Sequence, residues 1–375
     1  MSARLQISEP RRILVRGVNW LGDAVMTTPA LLRLREKFPA AQITLLTQSK
    51  LVDLWRHHPA INETIDFTAE GSVFTIAKKL RAEKFDLALV LPNSPRSALE
   101  IFLADIPQRI GYARPWRNFF LTQAVAARTG VAKMRKRSVG EIKSLIADNS
   151  KPKTKNQKPD PATHHIHEYL HLAATLGANA EPLAPQLFVT PEEIEAAKIK
   201  FGLDKISQPI FGLNPGAEYG AAKRWPAEKF IAAAKEIQRR TDCVWILFGG
   251  KGDFKLAAQI ESEIQNSKFK IQNLSGQTSL RELMALLKLC RVVLTNDTGP
   301  MHVAAALGTP VVVPFGSTSP ELTGPGLPGD ARHRLLKSDA PCSPCFLREC
   351  PIDFRCMNSI TVEQIVEAVI AAQSR

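Results

Sequence analysis

The sequence has no run of 18 uninterrupted apolar residues, which is about the length that a membrane-spanning helix needs. It also lacks the pattern of a secretory signal, because Arg4, Glu9 and Arg11 precede the first apolar stretch. We therefore expect a cytoplasmic protein. Acidic residues are few: 36 Asp and Glu stand against 49 Lys and Arg, so the formal net charge is +13. That excess predicts an anionic partner, which could be nucleic acid, an acidic membrane surface or a phosphorylated substrate.

A basic segment at about 131–160 has no aromatic residue. Proteins that read single-stranded nucleic acid stack bases on aromatic side chains, so this segment argues against a nucleic-acid partner. Two interpretations stay open: a flexible loop that approaches an anionic membrane surface, or a solvated loop that contacts nothing. Its basic residues are Lys133, Arg135, Lys136, Arg137, Lys143, Lys151, Lys153, Lys155 and Lys158.

The 375 residues, 45% of them hydrophobic, suffice for two domains. Short apolar strands alternate with amphipathic helices in both halves, which predicts an α/β fold of two Rossmann-like doubly wound domains facing a central cleft, with ligand sites at the carboxyl ends of the strands. We place the N-terminal domain at 1–185, including the basic loop, the C-terminal domain at 186–358, and a last helix at 359–375 that can pack back on the N-terminal domain. The predicted strands are 13–15, 43–46, 87–91, 210–213, 244–248, 292–295 and 311–313.

The most informative motif is the segment 296–302, which joins a predicted buried strand to an apolar helix. Unpaired N–H groups and the dipole at a helix start attract anions, while Thr298 offers a hydroxyl and Gly299 allows close approach. Asp297 fits an N-cap whose carboxylate could also accept a bond from a sugar hydroxyl. His302 fits either a ligand contact or a packed imidazole. A capped helix without a ligand explains the motif equally well.

Two further segments of the C-terminal half lie where a strand ends or a helix begins. The segment 214–218 follows a strand, and Lys223 and Arg224, just before a helix, could neutralise a diphosphate. Trp225 and Pro226 fit structural roles, with the proline in the first helical turn. Lys223 facing solvent is the alternative, but strand end, glycine and helix start converge there and favour a site.

Another glycine loop, 248–253, follows a predicted strand and suits contact with a nucleotide. In it Gly250 permits close approach, and Asp253 can reach a ribose hydroxyl. The segment 324–329 formally matches G-x-G-x-x-G, but it follows no strand and opens no helix, so we reject it as a dinucleotide motif.

In the N-terminal half, the first strand runs into a glycine-bearing turn that opens a helix, which puts Asp23 near the carboxyl edge of the sheet. A carboxylate there can act as general base on a hydroxyl. The alternative is that Asp23 merely caps the helix.

Four cysteines cluster as Cys342-x2-Cys345-x4-Cys350-x5-Cys356. This spacing is compatible with a zinc site or a redox pair, and also with structural reduced thiols or a disulfide. The sequence leaves these alternatives open.

Taken together, the segments 19–26, 214–218, 223–226 and 296–302 resemble those of the ADP-heptose:lipopolysaccharide heptosyltransferases of glycosyltransferase family 9, and within them most closely the heptosyltransferase II group. They span both domains in the expected order. The resemblance implies a GT-B fold, an ADP-heptose donor bound by the C-terminal domain, and an acceptor, heptosyl-Kdo2-lipid A, approached from the N-terminal domain. It implies an inverting enzyme that moves L-glycero-D-manno-heptose to the first heptose of the inner core.

The resemblance also assigns roles by residue. Asp23 becomes the base and Lys223 the catalytic diphosphate contact, while Asn19, Trp20 and Gly22 lie on the acceptor side. The chain has no D-x-D triplet, so we expect a metal-independent reaction without a cofactor. The implied donor-binding residues are Asn214, Gly216, Ala217, Glu218, Lys223, Gly250, Asp253, Asp297, Thr298, Gly299 and His302.

We expect ADP-heptose and a lipid-anchored acceptor as partners, with peripheral contact at the cytoplasmic face of the inner membrane and no nucleic acid. One alternative is a family 9 transferase with another acceptor, such as Kdo2-lipid A. Another is a non-catalytic nucleotide-binding module.

Overall fold

The computed structural model describes residues 9–132, 135–147, 160–266 and 270–374. By their contacts, residues 1–130 and 165–188 form one compact unit, and residues 131–164 and 189–375 form a second. The boundary near 188 lies close to the predicted 185. The described residues of the segment 131–164, which was predicted to belong to the first domain, group instead with the second unit.

The first unit contains a six-stranded sheet in the order β3-β2-β1-β4-β5-β6, in which every pairing is parallel. Its central strands are buried along most of their length, as expected for a parallel sheet covered on both faces. The strands are β1 Arg12–Arg16, β2 Gln42–Gln48, β3 Glu63–Phe67, β4 Leu87–Val90, β5 Gln108–Tyr112 and β6 Gln123–Val125.

The second unit contains another six-stranded parallel sheet, in the order β12-β11-β10-β7-β8-β9. Counted from its own first strand, this is the same doubly wound order as in the first sheet, so each sheet reverses direction beside its first strand. The predicted fold class is confirmed. The strands are β7 Ile210–Asn214, β8 Val244–Leu247, β9 Ile271–Asn273, β10 Val292–Thr295, β11 Val311–Phe315 and β12 Arg334–Lys337.

Several helices begin at a reciprocal capping box, in which the cap side chain and the third helical residue each bond the other's backbone N–H; Thr190 with Glu193 and Ser279 with Glu282 are two such pairs. The helices are α1 Leu21–Met26, α2 Thr28–Lys37, α3 Val73–Ala82, α4 Pro95–Leu103, α5 Val139–Ala147, α6 Ile166–Ala174, α7 Pro191–Lys200, α8 Ala227–Thr241, α9 Phe254–Gln265, α10 Leu280–Leu289, α11 Gly299–Ala306, α12 Pro320–Thr323, α13 Arg355–Asn358 and α14 Val362–Gln373. Short 3-10 turns cover Ser49–Trp55, Asn118–Phe120, Pro161–Thr163, Ala221–Lys223 and Lys251–Asp253.

The C-terminal helix α14 packs on the second unit. Its apolar residues Ile365, Val366 and Val369 are buried in the core that α8 and the strands of the second sheet build. The expectation that this helix packs back on the N-terminal domain is therefore wrong, because the apolar face of α14 is covered by its own neighbours in the chain.

Part of the basic segment is helical. In α5, Ile142 is buried against Cys342 and Cys345, so the expected flexible loop is wrong for Val139–Ala147. An apolar side chain that finds a partner can order a segment whose composition is polar. Within the residues that the structure describes, no helix combines the length and the apolar character that crossing a bilayer requires.

Candidate active site

In the second sheet, the ends of β7 and β10 are joined by two buried amides. Asn214 pairs in register with Thr295, and its Nδ2 donates to the Thr295 Oγ1 at 3.0 Å. The Asn296 side chain donates to the carbonyl of Pro215 at 2.7 Å and accepts from the backbone N–H of Trp225 at 2.9 Å. These amides hold the loops that follow the two strands. The side chain of Asn214 therefore has a structural role in the predicted donor site.

Beside these loops lies an ion pair between Lys223 and Asp297. The Lys223 Nζ is 2.7 Å from the Asp297 Oδ2, and the hydroxyl of Thr318 donates to the same oxygen at 2.6 Å. The Asp297 side chain is 4% exposed and that of Lys223 is 15% exposed. The pair joins residues 74 positions apart in the sequence, and it brings together two residues that the sequence analysis assigned to one site.

Asp297 does not cap helix α11. The N-cap is Thr298, and no side-chain cap bond forms there. The interpretation of Asp297 as N-cap is wrong because a lysine ammonium and a hydroxyl, both stronger partners than a backbone N–H, engage its carboxylate. Thr298 and Gly299 are half-buried at the start of α11, as predicted, and His302 is buried on that helix.

The predicted glycine loop is closed by Asp253. Its Oδ2 accepts from the N–H of Gly250 at 3.0 Å, and its Oδ1 lies 3.6 Å from Nη2 of Arg224. A Cβ at Gly216 would stand 2.4 Å from the Asp253 Oδ2, so a larger residue at 216 would displace this carboxylate. Asp253 thus holds the loops after β7 and β8 together.

The remaining predicted residues near this loop differ in exposure. Ala217 is buried, and its carbonyl accepts from Arg224 Nη2 at 3.2 Å, whereas Glu218 is exposed. Trp225 is structural as predicted: it is 2% exposed and donates from Nε1 to the carbonyl of Ile360. Pro226 is the N-cap of α8 and not its first helical residue.

In the first unit, Asp23 lies in the first turn of α1, at the carboxyl edge of β1. The N-cap residue of α1 is Trp20, and Asp23 is the third residue of the helix. Asp23 and Gly22 are half-buried, and Trp20 is 46% exposed with the Lys50 Nζ 5.8 Å from its ring centroid. Burial, and next the negative charge of Asp23, raise the pKa of the Tyr169 phenol well above its usual value.

Arg16, at the end of β1, was missed by the sequence analysis. Its Nε is 3.0 Å from a Glu100 carboxylate oxygen, and the two side chains are 3% and 0% exposed. Its Nη1 donates to the carbonyl of Gly17 at 2.6 Å and to Asn19 Oδ1 at 3.0 Å. Burial lowers the pKa of Arg16, while the Glu100 charge opposes that shift. Arg16 thereby fixes the predicted acceptor-side residue Asn19.

Arg117 was also missed. It is fully buried, and its Nη1 donates to the carbonyl of Pro92 at 2.8 Å, just after β4. Its Nε and Nη2 have no hydrogen-bond partner, and no carboxylate of the described residues pairs with it. Burial, then the nearby charge of Arg114, lower its pKa to about 10. A buried cation without a counter-ion is costly, so this position favours an anionic ligand.

The cysteine cluster consists of free thiols. Cys342, Cys345 and Cys356 are buried and Cys350 is half-buried. Burial raises the pKa of these three buried thiols, that of Cys356 to about 12. In the part of the chain that the structure describes, no group of three or more His, Cys, Asp or Glu side chains stands close enough to hold a metal ion.

Comparisons with known proteins show the family of the chain. The model of glycosyltransferase family 9 (heptosyltransferase) matches residues 149–354, more than half of the chain. Lipopolysaccharide heptosyltransferase 2 of Salmonella typhimurium is 31% identical over 322 residues, which are 84% of this chain and 85% of that protein. The chain belongs to glycosyltransferase family 9. The heptosyltransferase 2 of Escherichia coli K12 is likewise 31% identical, over 88% of this chain and 91% of its own.

Solved structures of family 9 members have the same fold. The structure of E. coli ADP-heptose LPS heptosyltransferase II matches with a TM-score of 0.75 at 27% identity, over 97% of this chain and 98% of that one. A family 9 transferase from Veillonella parvula matches with a TM-score of 0.76 at 22% identity, over 97% of each chain, which shows the fold alone. This family 9 member is therefore a glycosyltransferase of the GT-B fold class.

Proposed function

We propose that this family 9 enzyme transfers L-glycero-D-manno-heptose from ADP-heptose to the first heptose of the lipopolysaccharide inner core. The similarity to heptosyltransferases 2 supports the substrates. The observation that carries the chemistry is the Lys223–Asp297 pair, which places a cation at the start of α11, where backbone N–H groups are also available to an anion.

The donor diphosphate would lie at Lys223 and the start of α11. The ammonium of Lys223 is fixed at 2.7 Å from Asp297, so it needs little rearrangement to contact a phosphate. As the bond to the sugar breaks, negative charge grows on the departing ADP, and Lys223 with the N–H groups near Thr298 and Gly299 would stabilise it. The charge is met by the protein, so the proposed reaction requires no cofactor.

Asp23 would act as the base. Its carboxylate takes the proton of the acceptor hydroxyl as that oxygen attacks the anomeric carbon, and ADP leaves from the opposite side, so the configuration inverts. Asp23 suits this role because it lies in the first turn of α1, at the carboxyl edge of the first sheet, where doubly wound folds bind ligands.

The acceptor carries acidic groups, and Arg117 offers a buried cation at the ends of β4 and β5. We therefore assign the acceptor to the first unit and propose that the buried charge of Arg117 attracts the carboxylates or phosphates of the acceptor without touching them. We also propose that the enzyme works at the cytoplasmic face of the inner membrane. Among the lysines between 133 and 158 that are expected to supply the attraction to that membrane, Lys136 and Lys143 are described and exposed, whereas Lys133, Lys151, Lys153, Lys155 and Lys158 lie outside the described residues.

The test is incubation with ADP-heptose and a set of defined truncated acceptors, followed by mass analysis and measurement of released ADP. We expect one added heptose on heptosyl-Kdo2-lipid A and little product on Kdo2-lipid A. Product on Kdo2-lipid A alone would replace the proposed acceptor. Binding of ADP-heptose without product on any acceptor would identify a nucleotide-binding module and refute the proposal.

A further inference from the structure

The segment 341–356, which holds the four clustered cysteines and is here called the cysteine loop, contacts both sides of the Lys223–Asp297 pair. The carbonyl of Ser317, next to Thr318, accepts from the backbone N–H groups of Cys345 and Phe346 at 3.1 and 2.7 Å. The Ser343 hydroxyl donates to the carbonyl of Gly316 at 2.6 Å. These bonds tie the cysteine loop to the segment that supports Asp297.

On the other side, the cysteine loop is bonded to the turn that presents Lys223. The carbonyl of Arg348 accepts from the N–H of Ala222 at 2.9 Å, and the Tyr219 hydroxyl donates to the carbonyl of Phe346 at 3.2 Å. The contact is close: a Cβ at Gly220 would stand 2.3 Å from the Arg348 carbonyl oxygen. The backbone of Arg348 is therefore fixed relative to Lys223.

The side chain of Arg348 shares an aromatic partner with Lys223. The Arg348 Cζ lies 5.1 Å from the ring centroid of Tyr219, and the Lys223 Nζ lies 5.0 Å from the same centroid. The two cations are thus at most about 10 Å apart, which lets two long side chains reach one diphosphate.

Among the three described cations near the Tyr219 ring, Arg348 is the one whose charge is not balanced by a carboxylate. Lys223 is neutralised by Asp297, and Arg224 lies beside Asp253. Arg348 is exposed, and no carboxylate of the described residues forms an ion pair with it, although the exposed Glu349 follows it in the sequence and the exposed Glu218 precedes Tyr219. A neutral Lys223–Asp297 pair alone is a weak site for a doubly charged group. We propose that Arg348 is a second diphosphate-binding residue, which contacts the donor phosphates together with Lys223. This inference rests on the proposed function.

The test compares ADP and adenosine as probes of the full-length protein, by calorimetry at low and moderate salt. Arg348→Gln should weaken ADP binding about tenfold or more and leave adenosine affinity within about twofold, because a charge-assisted bond to phosphate is lost. The dependence of ADP affinity on salt should become shallower in the variant. Arg348→Lys, which keeps the charge, should lose less. Arg355→Gln is the matched control, since Arg355 also belongs to the cysteine loop but pairs with Asp353 at 2.9 Å.

Each outcome decides the proposal. If Arg348→Gln binds ADP as the parent does while Lys223→Ala is weakened, the proposal fails and the proposed function stands. An equal loss of ADP and adenosine affinity would make Arg348 a structural support and would also overturn it. A parent protein that binds neither ADP nor ADP-heptose refutes the proposed function and this inference together.

Discussion

The two sheets share one strand order, yet each uses a buried ion pair at its reversal point for a different purpose. In the first sheet, Arg16 and Glu100 are 3% and 0% exposed, and Arg16 also holds Asn19. In the second, Lys223 is 15% exposed and its partner Asp297 lies at the start of a helix. An enclosed pair can only hold the fold, whereas a pair with one partly exposed cation can exchange part of its bonding for a ligand.

The acidic residues at the two points differ in the same way. Asp297 is committed to Lys223 and Thr318 inside the protein. Asp23 occupies the first turn of α1 and is half-buried, so it is the more exposed of the two carboxylates. This difference fits the proposed roles, in which Lys223 stabilises the departing ADP and Asp23 accepts a proton.

The largest expected effect is on Asp23. Asp23→Asn should lower turnover roughly 100-fold to 10,000-fold, the range that general-base catalysis contributes, and leave ADP-heptose affinity nearly unchanged. Single-turnover kinetics with saturating acceptor and a separate donor-binding measurement would show the split. A variant that retains the parent's turnover would remove Asp23 from the base role.

The second-largest expected effect is on stability and concerns the enclosed pair Arg16–Glu100. Glu100→Gln leaves the Arg16 guanidinium buried without its counter-ion, removes the ionic partner of the 43% exposed Arg96, and should lower the free energy of unfolding by about 3–5 kcal/mol. Urea denaturation followed by circular dichroism measures it. Surface pair Arg12–Glu83 gives the control: Glu83→Gln should change stability by less than about 1 kcal/mol, because both side chains are 39% exposed. Equal effects of the two variants would contradict the structural role of Arg16–Glu100.

Loss of the partly exposed pair, Lys223–Asp297, should affect ligand binding more than stability. Lys223→Ala should weaken ADP-heptose binding and slow transfer, the latter by roughly 100-fold, because the cation acts on both ground state and departing ADP. Its loss of stability should be smaller than that of Glu100→Gln, since water can reach the Asp297 carboxylate from the lysine side. Unchanged donor affinity and rate would place Lys223 outside the site.

The smallest expected effect is the pH dependence of stability, which both units share. Burial lowers the pKa of His58 in the first unit and of His333 in the second to about 4. Both histidines are neutral when folded and bind protons when unfolded, so the stability they contribute is complete above pH 6.5 and is lost as the pH falls toward 4. When the pH falls from 8 to 6, each histidine should lower the free energy of unfolding by on the order of 1 kcal/mol. Urea denaturation at both pH values should show a smaller difference for His58→Gln, which cannot titrate, and an unchanged difference would contradict the buried neutral state.

The sequence by itself determined the fold class and the strand ends that carry the site. Strands buried on both faces, such as β1, β4, β7 and β10, are continuous apolar runs, so their periodicity and length predict them. The edge strands β3, β6, β9 and β12 were missed, because a strand covered on fewer sides carries polar residues that resemble a loop. The interior strand β5 was missed as well, because it begins with the polar residues Gln108 and Arg109. Helix α5 was missed for a related reason: its single buried residue, Ile142, is ordered by partners about 200 positions away.

Only the tertiary structure decided which charges meet. The sequence placed Lys223 and Asp297 in one site, but it gave Asp297 the role of a cap, which the pairing with Lys223 at 2.7 Å excludes. Arg16, Arg117 and Arg348 carry no local pattern that distinguishes them from surface arginines. Burial distinguishes Arg16 and Arg117, and the shared Tyr219 ring distinguishes Arg348; all three features depend on long-range packing that no segment of the chain specifies alone.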